Sequence, residues 1–274
     1  MPEGDTVWRV AHQLDEALQA NELIGTDFRV PRYATVDLGG MFVTTVRSRG
    51  KHILIELGEG PDSPPSLVVH NTLGMEGRWT LSQKADRWKG GPSHQVRAIL
   101  STQHLRAVGF RLPRLAVLTP PEAAQQLHHL GPDLLGSDWS PAAAVQNIQS
   151  VGGVEIAVAL LDQRNLAGVG NVYKSELCFL AKVNPWVPVS EVTDVPSIVA
   201  HARELLFANR DRNRRITTGD LRRPLWVYQR HNQPCRICGT RVEVAQQGEP
   251  SQLRRTWWCP TCQPAQRQSA VRGN

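Results

Sequence analysis

Apolar residues recur every three to four positions in TVWRVAHQLDEALQA (6–20). Val7, Val10, Ala11, Leu14 and Leu18 fall on one stripe, so the spacing predicts an amphipathic helix. From about 28 to 118 the texture changes to short β-rich runs: FVTTVRSR (42–49), HILIEL (52–57), SLVVH (66–70), GRWTL (77–81), QVRAIL (95–100) and LAVL (115–118). Gly39-Gly40 and the acidic, Pro-rich stretch 58–65 punctuate them. Strands this short and this closely spaced predict a β-sandwich or flattened barrel rather than a parallel sheet. Residues 119–140, with Pro120, Pro121 and Pro132, read as a linker, and Pro141 lies just beyond.

Helical texture then returns. VEIAVALLDQ (154–163) and NVYKSELCFLAK (171–182) read as helices around a Gly-containing turn, RNLAGVG (164–170). PSIVAHARELLFAN (196–209) reads as another, with Pro196 suited to its first turn. TRVEVA and RRTWW look like the two strands of a hairpin, and the tail after 264 reads as disordered. The fold class expected is α+β and multidomain. An N-terminal β-sandwich with flanking helices spans 1–118, a linker 119–140, a helical domain 141–229, a β-hairpin finger 230–264 and a tail 265–274.

Charge sharpens this division. The 274 residues carry a net charge of +6, but residues 201–274 hold 14 Arg against 5 acids, while the first 200 are net −3. A near-neutral body with a basic last quarter points to a polyanion partner. No apolar run approaches the ~20 residues of a membrane span, and MPEGDTVWRV carries acids where a signal peptide would be basic and then apolar, so a cytoplasmic setting without membrane partners is expected. Lysines number only five, so any lysine doing chemistry is Lys51, Lys84, Lys89, Lys174 or Lys182.

Cys235-x2-Cys238 and Cys259-x2-Cys262, 20 residues apart, have the spacing of a four-cysteine zinc site. With four thiolates and no position left for water, one structural zinc is expected. Disulfides are the competing reading, disfavoured by a cytosolic setting. The finger brings Arg236, Arg241, Arg254 and Arg255 close to Trp257 and Trp258. The tryptophans read as the hairpin's own small core, and at least one arginine as a DNA contact. Cys178, alone on a helix, reads as a core residue.

Two further features are weaker taken singly. Gly168 and Gly170 precede a helix starting near Asn171, with Lys174 one turn on. That is either a phosphate seat or an ordinary connection between helices. Pro2 follows Met1, and a small second residue permits removal of the initiator. That would leave a secondary amine beside the carboxyl group of Glu3. A terminal α-amine titrates near pH 8, about two units below lysine, so part of it is neutral and nucleophilic at pH 7. Most N-termini are nonetheless inert.

Taken together, the chain resembles the formamidopyrimidine-DNA glycosylase/endonuclease VIII family of base-excision repair enzymes. The resemblance runs through PEGDTV (2–7), RGKHILIEL (49–57), HNTLGMEGRW (70–79), LGPDLL (130–135), LLDQRNLAGVGNVYKSELCFLAKVNP (160–185) and VYQRHNQPCRICG…RRTWWCPTCQP (227–264), in the family's order and over nearly the whole chain. It implies a helix–two-turn–helix in the helical domain and a bifunctional DNA glycosylase/AP lyase acting on damaged DNA. Such an enzyme acts as a monomer, with no cofactor beyond zinc.

By the same resemblance, Pro2 is the nucleophile that forms a Schiff base at the sugar's C1′ and Glu3 its acid/base partner. Lys51 holds a phosphate beside the lesion, Asn171 and Arg254 grip the backbone, and Met75 wedges into the base stack; core packing is the alternative for Met75. The start PEG and the short segment 216–226 look like the endonuclease VIII branch, which implies oxidised pyrimidines. Asp5-Thr6 replaces that branch's usual Pro-Glu, and LGM at 73–75 is closer to the guanine branch. Excision of 8-oxoguanine, or DNA binding without catalysis, are the alternative readings.

Overall fold

The computed structural model describes residues 2–86, 88 and 90–265. The chain divides into two compact units, 1–129 and 130–274. Among the described residues, no helix is long and apolar enough to cross a membrane.

The first unit opens with helix α1 (Gly4–Leu18), whose stripe of Val7, Ala11, Leu14 and Leu18 is buried. Two antiparallel four-stranded sheets follow. One is ordered β2 (Phe42–Arg49), β3 (His52–Gly58), β4 (Leu67–Thr72) and β8 (Arg114–Leu118). The other is ordered β1 (Gly25–Phe28), β6 (Val96–Ser101), β7 (Leu105–Phe110) and β5 (Arg78–Gln83). Ile53, Ile55 and Val69 from the first sheet, and Leu100, Ala107 and Val108 from the second, are fully buried, as expected of a β-sandwich. β1 and β7 were not expected from the sequence. GTDF has one buried residue of four, and LRAVGF carries an interior glycine that weakens a strand signal.

The register of α1 on β2 sets the geometry of this unit. β2 has an irregularity between Val43 and Thr45, and Asp15 fills it: its carboxylate accepts from the Val46 N–H at 2.5 Å and the Thr45 hydroxyl at 3.3 Å. Just past the helix, Ala20 turns at φ 60° and its N–H donates to the Val43 carbonyl. From this anchor α1 rises about 22 Å, and β2 runs about 20 Å from Val43 to Arg49. The start of α1 therefore lies at the sheet end where Gly50, at φ 56°, closes the β2–β3 turn beside Lys51.

The stretch 119–140 is not a bare linker, because Pro120–Leu127 forms helix α2. Pro120-Pro121 opens that helix rather than breaking it, since proline suits a first turn. Thr119 and Glu122 close a reciprocal capping box on it.

The second unit packs α3 (Pro141–Ser150), α4 (Ile156–Leu161), α5 (Asn171–Leu180) and α6 (Val195–Asn209) around Leu160, Val169, Tyr173, Leu177 and Leu206. Pro196 sits in the first turn of α6, where the Asp194 carboxylate accepts from the Ser197 N–H. The finger is an antiparallel hairpin of β9 (Glu243–Gln247) and β10 (Arg254–Trp258). Of the expected tail, residues 266–274 lie outside the described residues.

The turn that carries Met75 depends on a close approach. A Cβ on Gly77 would stand 2.3 Å from the Leu73 carbonyl oxygen. Gly77→Ala is therefore expected to cost about 1–3 kcal/mol, read as a lower midpoint in thermal or urea unfolding.

Candidate active site and DNA interface

Pro2 and Glu3 lead into α1. Glu3 is the N-cap in extended backbone, makes no side-chain capping bond, and is fully buried (0% exposed). A carboxyl group at the positive end of a 15-residue helix is well placed electrostatically. Asp5, at the position where the family pattern changes, is also buried, and its carboxylate accepts from the Thr6 N–H at 2.7 Å and the Thr6 hydroxyl at 3.2 Å.

Beside this helix end lies a polar row that sequence reasoning missed. His52, next to Lys51, shares a hydrogen bond with His70 (Nδ1···Nε2, 2.8 Å), and His70 Nδ1 meets the Gln126 Oε1 of α2 at 3.1 Å. The His52 and His70 rings stack at 5.0 Å. Burial is the main reason His52 is pushed down to about 3, with His70, Arg114, His129 and Lys51 adding like-charge pressure. His70 is lowered too, again chiefly by burial. Both rings are therefore neutral at physiological pH. His52 stands in RGKHILIEL and His70 in HNTLGM, two motifs far apart in the chain. The alternation of β3 and β4 is what turns both imidazoles to one face.

Met75 is 68% exposed, on the turn joining β4 to β5, which excludes core packing. The next residue, Glu76, pairs with Arg111 of the β7–β8 turn, so the two turns brace each other.

In the second unit, α5 organises everything near the Gly-rich turn. The Asn171 Nδ2 donates to the Arg255 carbonyl of β10 at 2.8 Å, and its buried Oδ1 has no partner among the described residues. Lys174 departs from expectation. It is 1% exposed, with its ammonium donating to the Thr256 hydroxyl at 2.7 Å, so it clamps the hairpin from inside rather than facing an anion. Thr256 passes the chain on to Gln247 Oε1 at 2.7 Å, and Gln247 Nε2 donates to Glu155 at 2.6 Å. Glu176, also unremarked in the sequence, is fully buried. Its carboxylate accepts from the N–H groups of Trp226, Val227 and Tyr228 at 2.8, 2.9 and 2.9 Å and from the Thr217 hydroxyl, fixing the segment that leads into the finger.

The finger's arginines divide. Arg236 and Arg241 donate to the Leu225 and Asn232 carbonyls, while Arg254 and Arg255 project into solvent at the start of β10. The tryptophans do not form a separate hairpin core. Trp257 packs with Phe179 of α5, Val227 and Val242, and Trp258 meets Trp186 edge-on at 4.5 Å. Cys178 is in the core, its thiol pushed up to about 12 by burial.

The sulfurs of Cys235, Cys238, Cys259 and Cys262 lie within 4.8 Å of one another, and the pairs 235–262 and 238–259 are 3.8 and 3.4 Å apart. None is in a disulfide. A tetrahedral zinc with bonds of about 2.3 Å sets its sulfurs about 3.8 Å apart, so the cluster fits one structural zinc.

Residues 1–115 match the formamidopyrimidine-DNA glycosylase N-terminal domain, and 130–208 match the formamidopyrimidine-DNA glycosylase H2TH domain. The chain is 51% identical to a probable endonuclease 8 2 of Streptomyces coelicolor, over 96% of this chain and 94% of that protein. It is 46% identical to the DNA-(apurinic or apyrimidinic site) lyase Nei2 of Mycolicibacterium smegmatis, over 97% and 100%. Identity to a formamidopyrimidine-DNA glycosylase of Methylococcus capsulatus is 28%, over 85% and 86%. Among solved structures, Lactococcus lactis formamidopyrimidine-DNA glycosylase on DNA containing an AP site superposes with a TM-score of 0.78 at 18% identity, covering 96% of this chain and all of that one.

Two outcomes follow from this geometry. Between pH 6.5 and about 3 the unfolded chain protonates His52 and the folded chain does not, so stability falls as pH drops through that window. His52→Gln should flatten the decline in melting temperature between pH 6.5 and 5; an unchanged decline would mean the proton binds elsewhere. Chelation of zinc should unfold the finger, seen as a change in tryptophan fluorescence as Trp257 leaves its packing, and elemental analysis should return one zinc per chain.

Proposed function

The chain belongs to the formamidopyrimidine-DNA glycosylase/endonuclease VIII family, on its endonuclease VIII-like side, and is a DNA glycosylase/AP lyase; from that premise we propose that Pro2, freed by removal of Met1, is its nucleophile. The observation that carries this reading is the buried Glu3 carboxyl group at the start of α1, held at the same sheet end as Lys51. The neutral secondary amine of Pro2 attacks C1′ of the damaged nucleotide, and the base departs with the electron pair of its bond and takes up the proton that the amine gives up. Glu3 delivers a proton to the sugar oxygen as the ring opens, leaving a cationic imine between Pro2 and C1′. That cation draws electrons from the sugar, so the C2′ proton becomes acidic and the C3′–oxygen bond breaks by β-elimination. A second, δ-elimination releases the 5′ phosphate, and water then returns the free amine. Lys51 holds a phosphate beside the reacting sugar, and zinc holds the finger without taking part in the chemistry.

The target nucleotide leaves the duplex to reach Pro2, and Met75, exposed on its braced turn, fills the gap in the stack. Asn171 and Arg254 hold the backbone of the damaged DNA. Lys174 contributes by fixing the hairpin that carries Arg254. On this reading 1–118 carries the chemistry, and 141–229 with the finger at 230–264 grips the DNA.

Oxidised pyrimidines are the substrates this reading favours. The start PEG, the high identity to proteins named endonuclease 8, and the compact 216–226 segment all support it. In that segment the Thr217 N–H donates to the Pro224 carbonyl at 2.8 Å and the Thr218 hydroxyl to Arg223 at 2.7 Å, which leaves little length for a base-capping loop. The enzyme works in the cytoplasm and as a monomer.

Borohydride should trap a covalent adduct with duplexes containing an abasic site or thymine glycol, and weaker trapping is expected with 8-oxoguanine. An N-terminal extension that turns the Pro2 amine into an amide should abolish trapping, and its proteolytic removal before Pro2 should restore it. Trapping that persists with the extension in place would remove Pro2 from its role. Stronger trapping with 8-oxoguanine would reverse the substrate assignment.

A further inference from the structure

β8 is the edge strand of its sheet, and its first residue, Arg114, stands at the sheet end that holds Lys51. Arg49 lies opposite His52, His52 opposite Thr72, and Thr72 opposite Arg114, so these four residues share one face in a row across four strands. The Arg114 side chain is exposed, and no side-chain hydrogen bond or ion pair holds it among the described residues.

It also stands where two cavities meet. One of about 610 Å³ is lined by Arg32, Tyr33, Gln125 and Gln126, and one of about 570 Å³ by Arg29, Arg97 and Pro113. Arg114, Val30 and Leu115 line both, so the two form a trough along the β8 edge. Four guanidinium groups line this trough. Arg29 is oriented by Asp27 at 2.9 Å, and Arg97 by the His94 and Val96 carbonyls at 3.0 Å, while Arg32 lies over the Tyr33 ring. The acid on the trough wall, Glu122, is engaged by the Thr119 N–H and hydroxyl in the cap of α2. Four guanidinium groups here face two carboxylates, Asp27 and Glu122, and an anion laid between them relieves the repulsion that remains.

We propose that this trough is a second seat for the DNA backbone, with Arg114 and Arg32 contacting phosphodiesters of the same duplex whose lesion lies near Lys51. Two strand spacings separate β3 from β8, roughly 10 Å, or about three nucleotides along a strand at a rise of about 3.4 Å each. The trough thus receives the duplex flank, not the reacting nucleotide. The proposal rests on the DNA glycosylase/AP lyase activity but not on Pro2 as its nucleophile.

Binding to a duplex carrying the uncleavable tetrahydrofuran analogue of an abasic site tests it, because that substrate needs no covalent step. Arg114→Gln should weaken binding about tenfold at 0.1 M salt, the worth of one charge-assisted contact. The slope of log affinity against log salt should shrink by about 0.9, one phosphate contact. The turnover rate on saturating abasic DNA should stay at the wild-type level. Arg47→Gln, which removes a charge paired with Glu56 midway along β2, is the control for general loss of charge. Arg32→Gln, on a turn outside the sheets, gives the same reading should the β8 change disturb folding. Wild-type affinity and salt slope in the Arg114→Gln and Arg32→Gln variants, or losses no greater than that of Arg47→Gln, would overturn the trough. Failure of borohydride trapping in the wild type would overturn Pro2 alone and leave the binding result standing.

Discussion

Helix α5 is buried on nearly every side, and the polar groups it takes inside must find partners there. An unpaired ammonium or carboxylate in such a place costs several kcal/mol. Lys174 is satisfied by Thr256 of the finger, and Glu176 by three consecutive amides of residues 226–228. Asn171, at the first turn, donates to the Arg255 carbonyl. Three side chains of one helix thus fix the segment before the finger and one strand of the finger itself. Arg254 neighbours Arg255 on that strand, so its position follows from the same bonds. Zinc closes the far end of the same body, and the finger is held at both ends.

The first unit uses a different device for the same purpose. Asp15 fills a flaw in β2, and that single anchor sets how far along the sheet α1 begins. Pro2 and Glu3 are the leading residues of a stiff rod whose register is fixed about 20 Å away. A mutation at Asp15 would therefore shift Pro2 and Glu3 without touching them. The neutral His52–His70–Gln126 chain does related work at the Lys51 turn. It fills the space beneath that turn with hydrogen-bonded rings that add no positive charge to a site already rich in cations.

Strands with strong alternation, such as 42–49, were legible because their pattern is written in side chains that face a core. β1 and β7 were not, since short or glycine-containing edges of the pattern depend on neighbours supplied by the fold. α2 was hidden by its prolines, which break a helix in its middle and begin one at its end. The four cysteines were legible because two short turns fix their geometry locally. The part played by Lys174 was not legible, for the opposite reason. Position after a Gly-rich turn suggests an anion site, but whether the side chain points to solvent or into Thr256 is decided by a strand 82 residues away. Glu176 and the histidine pair had no local signature at all, because their partners are far apart in sequence.

Charge was the broadest signal in the sequence and the least exact about place. Much of the basic last quarter is occupied internally: Arg215 covers the Tyr173 ring, Arg210 the Phe207 ring, and Arg212, Arg230, Arg236 and Arg241 donate to backbone carbonyls. The near-neutral body, by contrast, is polarised. Arg49, Lys51 and Arg114 gather at one end of the first sheet, and Glu59 and Asp62 follow the other end of β3, about 20 Å away. At physiological salt, where fields fade over about 8 Å, a DNA strand at the cationic end is largely shielded from those acids. A net charge of −3 therefore does not disqualify this unit as a DNA-facing surface.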